Sequence, residues 1–258
     1  MDVSAKGLRV LVTAGAAGIG LAIARTFASH GARVHICDVD LKSLAAARDE
    51  LPGVSQTVAD VAKPADVERL FADAAAALGG LDVLVNNAGI AGPTGLVENL
   101  STEDWDRCIA VDLNGMFYCT RLAMPMIKKA GGGSIINMSS VAGRLGFVQR
   151  TPYAAAKWAV VGFTKSVAIE AGPDKVRVNC IQPGSVEGDR IERVIDAKAK
   201  ALGIGNDEMR AKLVEGISLG TFVSAQDIAN MALFLATDAG KHITGQALSV
   251  CGDVRYAI

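Results

Sequence analysis

The run Leu8-Arg9-Val10-Leu11-Val12-Thr13-Ala14-Gly15-Ala16-Ala17-Gly18-Ile19-Gly20 passes from a short, β-rich apolar segment into a cluster of glycine and alanine. A helical pattern, Leu21-Ala22-Ile23-Ala24 to Phe27, follows at once. Strand, glycine turn and helix in that order open a dinucleotide-binding βαβ unit. The glycines let the chain turn tightly and let a pyrophosphate approach the backbone. The start of the helix offers that anion unpaired N–H groups and a partial positive charge. A tight βα turn that binds nothing shows the same pattern. The motif gains force only where an acidic residue, a crossover and a reactive site fall where the geometry requires them.

Outward from that turn the alternation continues. Arg33 to Asp38 reads as a second strand, and Leu41 to Leu51 as a helix stopped by Pro52-Gly53. Val54 to Ala59 is a third strand. Pro64 opens a helix to about Leu78, and Gly79-Gly80 ends it. Leu81 to Asn86 is a fourth strand. Strands alternating with helices through short connections imply an α/β fold with a doubly wound parallel sheet. Right-handed crossovers place helices on both faces. Asp38 closes the second strand about twenty residues after the glycines, where an acid hydrogen-bonds the adenine ribose 2′-hydroxyl. Its carboxylate repels a 2′-phosphate, which favours NAD over NADP. The other reading is a strand-end Asp that starts a turn with Asp40.

Bulk properties narrow the classes. A length of 258 residues suits one α/β domain. Half the residues are hydrophobic, enough for a large aliphatic core. A net charge of −1 argues against a nucleic-acid partner. The five cysteines form no C-x-x-C pair, and an odd count argues against a disulfide framework. They are expected to be reduced, buried and cytoplasmic. Met1 to Lys6 is too polar for a signal peptide. No uncharged apolar run approaches the ~20 residues of a membrane span. His30, His35 and His242 show no ligand spacing, so no metal site is expected.

The second half carries the candidate chemistry. Asn86-Asn87-Ala88-Gly89 ends the fourth strand, where small and amide residues either face a ligand crevice or simply form a turn. Ser101 to Asp104 resembles a capping box and starts a long helix through Leu113 to Met124. Gly131 to Gly133 is a turn. Ser134 to Met138 is a fifth strand that delivers Ser139-Ser140 to its carboxyl end. Thr151-Pro152 starts the next helix. Tyr153 and Lys157, four apart, share one of its faces. A lysine ammonium stabilises a neighbouring phenolate, and the pair can exchange a proton with a substrate oxygen. Ser140 could hydrogen-bond the same oxygen. A surface lysine beside an amphipathic tyrosine fits the spacing equally well.

Taken together these motifs resemble the short-chain dehydrogenase/reductase family over nearly the whole chain. Thr13 to Gly20 is similar to its T-G-x-x-x-G-x-G turn, and Asn86 to Gly89 to its N-N-A-G. Ser140, Tyr153 and Lys157 fall at its Ser…Y-x-x-x-K spacing, and Pro183-Gly184 at its P-G. The resemblance implies a single Rossmann-like domain over residues 1–258 and an NAD-dependent dehydrogenase acting on a secondary alcohol or its ketone. It implies Tyr153 as acid/base, Lys157 as its electrostatic partner and holder of the nicotinamide ribose, and Ser140 positioning the substrate oxygen. The cofactor contacts it implies begin with Gly15, Gly18, Ile19, Gly20 and Asp38. Asp60 and Val61 would lie against adenine. Asn87, Ala88, Gly89, Tyr153, Lys157, Pro183 and Val186 complete the set. A 3-oxoacyl-thioester reductase is a second enzyme reading, and Asp38 opposes it because such reductases more often use NADPH. A non-catalytic NAD-binding protein is a third.

Four positions depart from the family pattern. Ala14 replaces the first glycine, and Gly15 is expected to preserve the turn. Asp112 stands where the fourth catalytic residue is usually Asn. Gly188 replaces a Thr after Pro-Gly, and Cys251 a frequent Asp. Residues 186–222 are expected to form a helical segment that covers the substrate. Ser224 to Asp227 caps a last long helix, and Ala247 to Val250 is a seventh strand. The resemblance also implies a homotetramer joined through the helices near Ser101–Lys129 and Thr151–Ala171. Arg144 and Arg150 lie between Ser140 and Tyr153, with Arg190 and Arg193 further on. They either meet an anionic substrate or pair with Glu187, Asp189 or subunit neighbours. The second is the expectation, because most surface arginines are solvated or paired.

Overall fold

The structure is a computed structural model that describes residues 3–256. Met1, Asp2, Ala257 and Ile258, including the start of the stretch read against a leader, lie outside the described residues. Seven parallel strands run in the order β3-β2-β1-β4-β5-β6-β7. They are β1 (Arg9–Thr13), β2 (Arg33–Asp38), β3 (Ser55–Val58), β4 (Val83–Asn86), β5 (Gly133–Met138), β6 (Val176–Pro183) and β7 (Ala247–Val250). The order reverses between β1 and β4, which opens a crevice at the carboxyl ends of the strands.

Side chains alternate across the sheet with period two. Val10, Val12, Val83, Val85 and Ile136 face one layer, with α1 (Gly18–Ser29), α2 (Leu41–Glu50) and α9 (Ala225–Ala236). Leu11, Leu84 and Ile135 face the other, with α3 (Pro64–Leu78), α5 (Gly115–Lys129) and α6 (Thr151–Ala171). Both layers are apolar, so neighbouring strands are buried on both faces, as a parallel sheet requires.

The long helix expected after Ser101 is interrupted. Ser101 caps α4 (Thr102–Ile109), accepting from Asp104 N–H at 3.0 Å. A π-helical turn, Ala110–Asn114, then leads into α5. The expected turn at Gly131 to Gly133 is shorter, because Gly133 already pairs with Val176 as the first residue of β5. An added Cβ there would lie 2.1 Å from the Asp82 carbonyl oxygen, so this strand start requires glycine. Residues 186–222 form α7 (Asp189–Leu202) and α8 (Asn206–Glu215). These close over a small core of their own, including Ile191, Ile195, Met209 and Phe222 with Val141 and Val254.

Candidate active site

The ends of β1 and β4 are tied by one hydroxyl and one amide. Thr13 Oγ1 accepts the N–H groups of Asn87 and Ala88, each at 3.0 Å. The Asn87 side-chain amide donates to the carbonyls of Thr13 and Ala14, again at 3.0 Å. Asn87 therefore holds the glycine turn in place as well as lining the cavity beside it.

The turn itself corrects one expectation. Ala14, not Gly15, takes the left-handed conformation, with φ of +48°. Gly15 is required for another reason: a Cβ there would come within 2.7 Å of Ile36 on β2. Gly20 admits the Ala14 carbonyl, which would lie 2.0 Å from an added Cβ. Gly18, at φ +52°, opens onto free space. Ala17 gives α1 no side-chain cap, and among the described residues no side chain accepts from its first-turn N–H groups.

A cavity of about 700 Å³ runs along the carboxyl ends of the strands. Its wall includes Ala17, Gly18, Ile19, Asp38, Asn87, Gly89, Ser140, Tyr153, Lys157, Pro183 and Val186. Asp38 accepts from the N–H groups of Ala16 at 3.3 Å and Asp40 at 3.2 Å, which fixes its carboxylate beside the turn. An uncapped helix start, open space above Gly18 and a carboxylate on the same wall fit a dinucleotide. Among the described residues the wall does not include Gly15, Gly20, Asp60, Val61, Ala88 or Asp112. The Asp60 carboxylate is turned to Ala62 N–H at 3.0 Å and to Arg107 at 3.2 Å. Val61 is buried against Gly115.

The reactive end is assembled from three elements. Ser140 follows β5, and its Oγ accepts from Ala142 N–H at 3.2 Å, starting a short 3₁₀ turn. Ser139 Oγ donates to the Lys157 carbonyl at 2.8 Å, which locks the end of β5 onto α6. On α6 the Lys157 Nζ lies 5.5 Å from the centre of the Tyr153 ring and donates to Met138 O at 3.1 Å. The third element is the π turn. It delivers Asp112, fully buried, with Oδ1 accepting Ile90 N–H at 2.6 Å. Oδ2 lies 3.2 Å from Lys157 Nζ as an ion pair, without a hydrogen bond's alignment. Lys157 is 3 % exposed, so this is a charge pair taken out of water.

The arginines divide. Arg144 Nη2 donates to Val254 O at 2.9 Å and to Cys251 Sγ at 3.5 Å, and Arg144 itself does not line the cavity. Arg150, Arg190 and Arg193 do line it. The expected pairing with Glu187 or Asp189 does not occur, and none of the three forms an ion pair among the described residues. The carbonyls of Ala91 and Gly89 accept from Arg150 and Arg190 instead. A further cation, Lys198, reaches the same wall from α7. Its signal in the sequence is a lysine at helical spacing from Ile191 and Ile195, on a face that is otherwise apolar.

Gly188 takes φ of +123° at the start of α7. That conformation is essentially restricted to glycine, so a threonine could not stand here. The departure from the family pattern is a backbone requirement at the start of α7.

A family model described as Enoyl-(Acyl carrier protein) reductase matches residues 14–253. The chain is 39% identical to an uncharacterized short-chain type dehydrogenase/reductase of Sinorhizobium fredii, over 96% of this chain and 97% of that protein. It is 36% identical to a D-beta-hydroxybutyrate dehydrogenase of Rhizobium meliloti, over 94% of this chain and 96% of the relative. Among solved structures it superposes on a variant actinorhodin polyketide ketoreductase with NADPH at a TM-score of 0.92. That pair shares 31% identity and the match covers 95% and 96% of the two chains.

Proposed function

The chain belongs to the short-chain dehydrogenase/reductase family, and from that membership we propose that it is an NAD-dependent dehydrogenase acting on a secondary alcohol or its ketone. The observation that carries this reading is the convergence of Ser140, Tyr153 and Lys157 with Asp38 on one cavity wall. When bound, the nicotinamide supplies or accepts the hydride. The chain's own residues orient the substrate oxygen and move its proton.

In this reading Tyr153 exchanges the proton with the substrate oxygen, and Ser140 Oγ hydrogen-bonds that same oxygen. Lys157 stabilises the phenolate electrostatically and is held by Asp112 and the Met138 carbonyl. Gly18, Ile19, Asn87, Gly89, Pro183 and Val186 form the cofactor wall. Gly15, Gly20 and Ala88 shape it from behind, and Asp60 and Val61 border the adenine. The segment 186–222 covers the substrate. The relative named for D-beta-hydroxybutyrate supports the dehydrogenase reading.

The ketoreductase neighbour with NADPH supports the runner-up, an NADPH-dependent reductase of 3-oxoacyl thioesters. Asp38 favours NAD, because its carboxylate would repel a 2′-phosphate. We read the fold as one domain and the protein as cytoplasmic, in keeping with five free, buried cysteines. Among the described residues no helix is long and apolar enough to cross a membrane. Exposed Trp105, Phe117, Trp158 and Ile169 on α4, α5 and α6 support a homotetramer. A monomeric mass at micromolar concentration would contradict it.

The test is cofactor-linked absorbance with a panel of secondary alcohols and ketones. Tyr153→Phe is expected to lower kcat by about 10²-fold or more while NAD affinity stays near that of the wild type. Wild-type turnover in that variant overturns the assignment. A higher kcat/KM with NADP than with NAD in the wild-type protein overturns the reading of Asp38.

A further inference from the structure

Arg150 and Lys198 are each 3 % exposed, yet neither has an anionic partner among the described residues. Arg150 donates one bond, to the Ala91 carbonyl, and its buried Nε has no partner. Among the described residues Lys198 Nζ makes no hydrogen bond, and it lies 5.1 Å from the centre of the Phe147 ring. Burial, reinforced by Arg150, holds the Lys198 ammonium down to about 8, which still leaves it mostly charged at neutral pH. Removing a charge from water is destabilising unless a counter-charge replaces the water.

Among the described residues no carboxylate forms an ion pair with either cation. Asp112 is taken by Lys157 and Ile90 N–H, and Glu192 by Arg210. Glu187 and Asp189 line the cavity without pairing to either cation. The two cations converge on one place. The Arg150 guanidinium lies 5.8 Å and the Lys198 ammonium 5.1 Å from the same Phe147 ring. Arg150 is also 5.3 Å from the Tyr153 ring, beside the proposed chemistry. Arg190 and Arg193 extend the positive wall into an adjoining cavity of about 430 Å³.

We propose that Arg150 and Lys198 form an oxyanion-binding site, so that the substrate is a small hydroxy or oxo compound carrying a carboxylate or sulfonate a few bonds from its reacting carbon. The inference rests on the dehydrogenase reading for the word substrate, and on the unpaired cations alone for the anion site. A planar guanidinium beside a point-charge ammonium suits such a head group.

Isothermal titration of the NAD-loaded protein with butyrate, propane-1-sulfonate and neutral butyramide tests the site directly. At least one anion is expected to bind about tenfold or more tightly than butyramide, and the stronger of the two identifies the head group. Lys198→Met and Arg150→Met should each weaken that anion about tenfold and leave butyramide unmoved. Lys198→Arg should retain the anion. The melting temperature of Lys198→Met should equal or exceed that of the wild type, because an unpaired buried charge is gone. Equal binding of anion and amide, no anion binding, or anion affinity unchanged in both Met variants overturns the site.

Turnover separates this inference from the enzyme reading. Acetoacetate should exceed its methyl ester in kcat/KM, and Lys198→Met should abolish the difference. An ester used as well as the acid overturns the anion site and leaves the dehydrogenase standing. Anion binding that depends on Lys198, with no turnover of any compound, upholds the site and overturns the dehydrogenase.

Discussion

Asp112 has two oxygens and two obligations. One accepts the Ile90 N–H at 2.6 Å, and the other faces the Lys157 ammonium at 3.2 Å. Asp112→Asn keeps an oxygen for Ile90 but leaves a buried ammonium without its counterion. The substitution is expected to cost about 2 kcal/mol, read from the urea midpoint. If the Asp112 charge tunes the proposed proton exchange, the pH–rate profile of the variant should shift. An unmoved profile at full activity would leave Asp112 a purely structural residue. Ala14 poses a simpler problem. A Cβ at φ +48° crowds the following carbonyl, and glycine does not. Ala14→Gly is expected to stabilise the protein by about 0.5–1 kcal/mol, offset in part by the freer unfolded chain. A calorimetric rise of about 1–4 °C would register it.

Between elements, polar side chains set which strand end meets which helix. Asn86 on β4 donates to Thr120 on α5 at 3.0 Å and to Asn137 on β5 at 2.9 Å. Asn137 donates in turn to Thr164 on α6 at 3.0 Å. This buried chain pins α5, which continues from the π turn, and α6, which carries Tyr153 and Lys157. Asn137→Ala removes one of the two acceptors of the buried Asn86 amide and the amide that donates to Thr164. It is expected to cost about 2–3 kcal/mol in chemical denaturation, with kcat falling as Lys157 loses its place. A loss below about 0.5 kcal/mol would show that the chain does not bind these elements together. Helix starts and stops were legible because they depend on one or two residues each, such as Pro64 at its N1 position. The π turn was not. It arises where Asp112 must reach both Ile90 and Lys157, which no local spacing encodes.

At the scale of the molecule, the sheet's outer half carries a titratable group that the chemistry does not use. His35 on β2 is buried between Ser55 and Thr57 of β3, and Thr57 reaches Asp73 on α3. Burial holds its imidazole down to about 4, against a small opposing pull from Asp73. In the unfolded chain the ring protonates near 6.5. Between those values the unfolded state binds the extra proton, so stability is full above pH 6.5 and falls as pH drops toward 4. That gap corresponds to about 3 kcal/mol at 1.36 kcal/mol per pH unit. Urea midpoints at pH 7 and pH 4.5 should fall less for His35→Gln than for the wild-type protein. Equal falls would remove His35 from the acid response. His35 gives no such warning in the sequence, because its neighbours in space come from β3.

What the linear chain determined alone is whatever rests on short-range pattern. The glycine turn, the acid at the end of β2, the alternation of strand and helix and the Tyr153–Lys157 spacing all act within a few residues or one βα unit. Their physics is backbone freedom, side-chain period and hydrogen-bond need, so residues 9–250 read as a doubly wound sheet before any contact was known. Tertiary structure alone decided the identity of the partners. Asp112 meets Lys157 across 45 positions of sequence. Arg144 turns to Val254 while Arg150 turns to the cavity, although both lie on one loop. Lys198 gains its place beside Arg150 through the packing of α7 over the sheet end. The worth of a charge depends on water and counter-charge around it, and only the folded chain sets both.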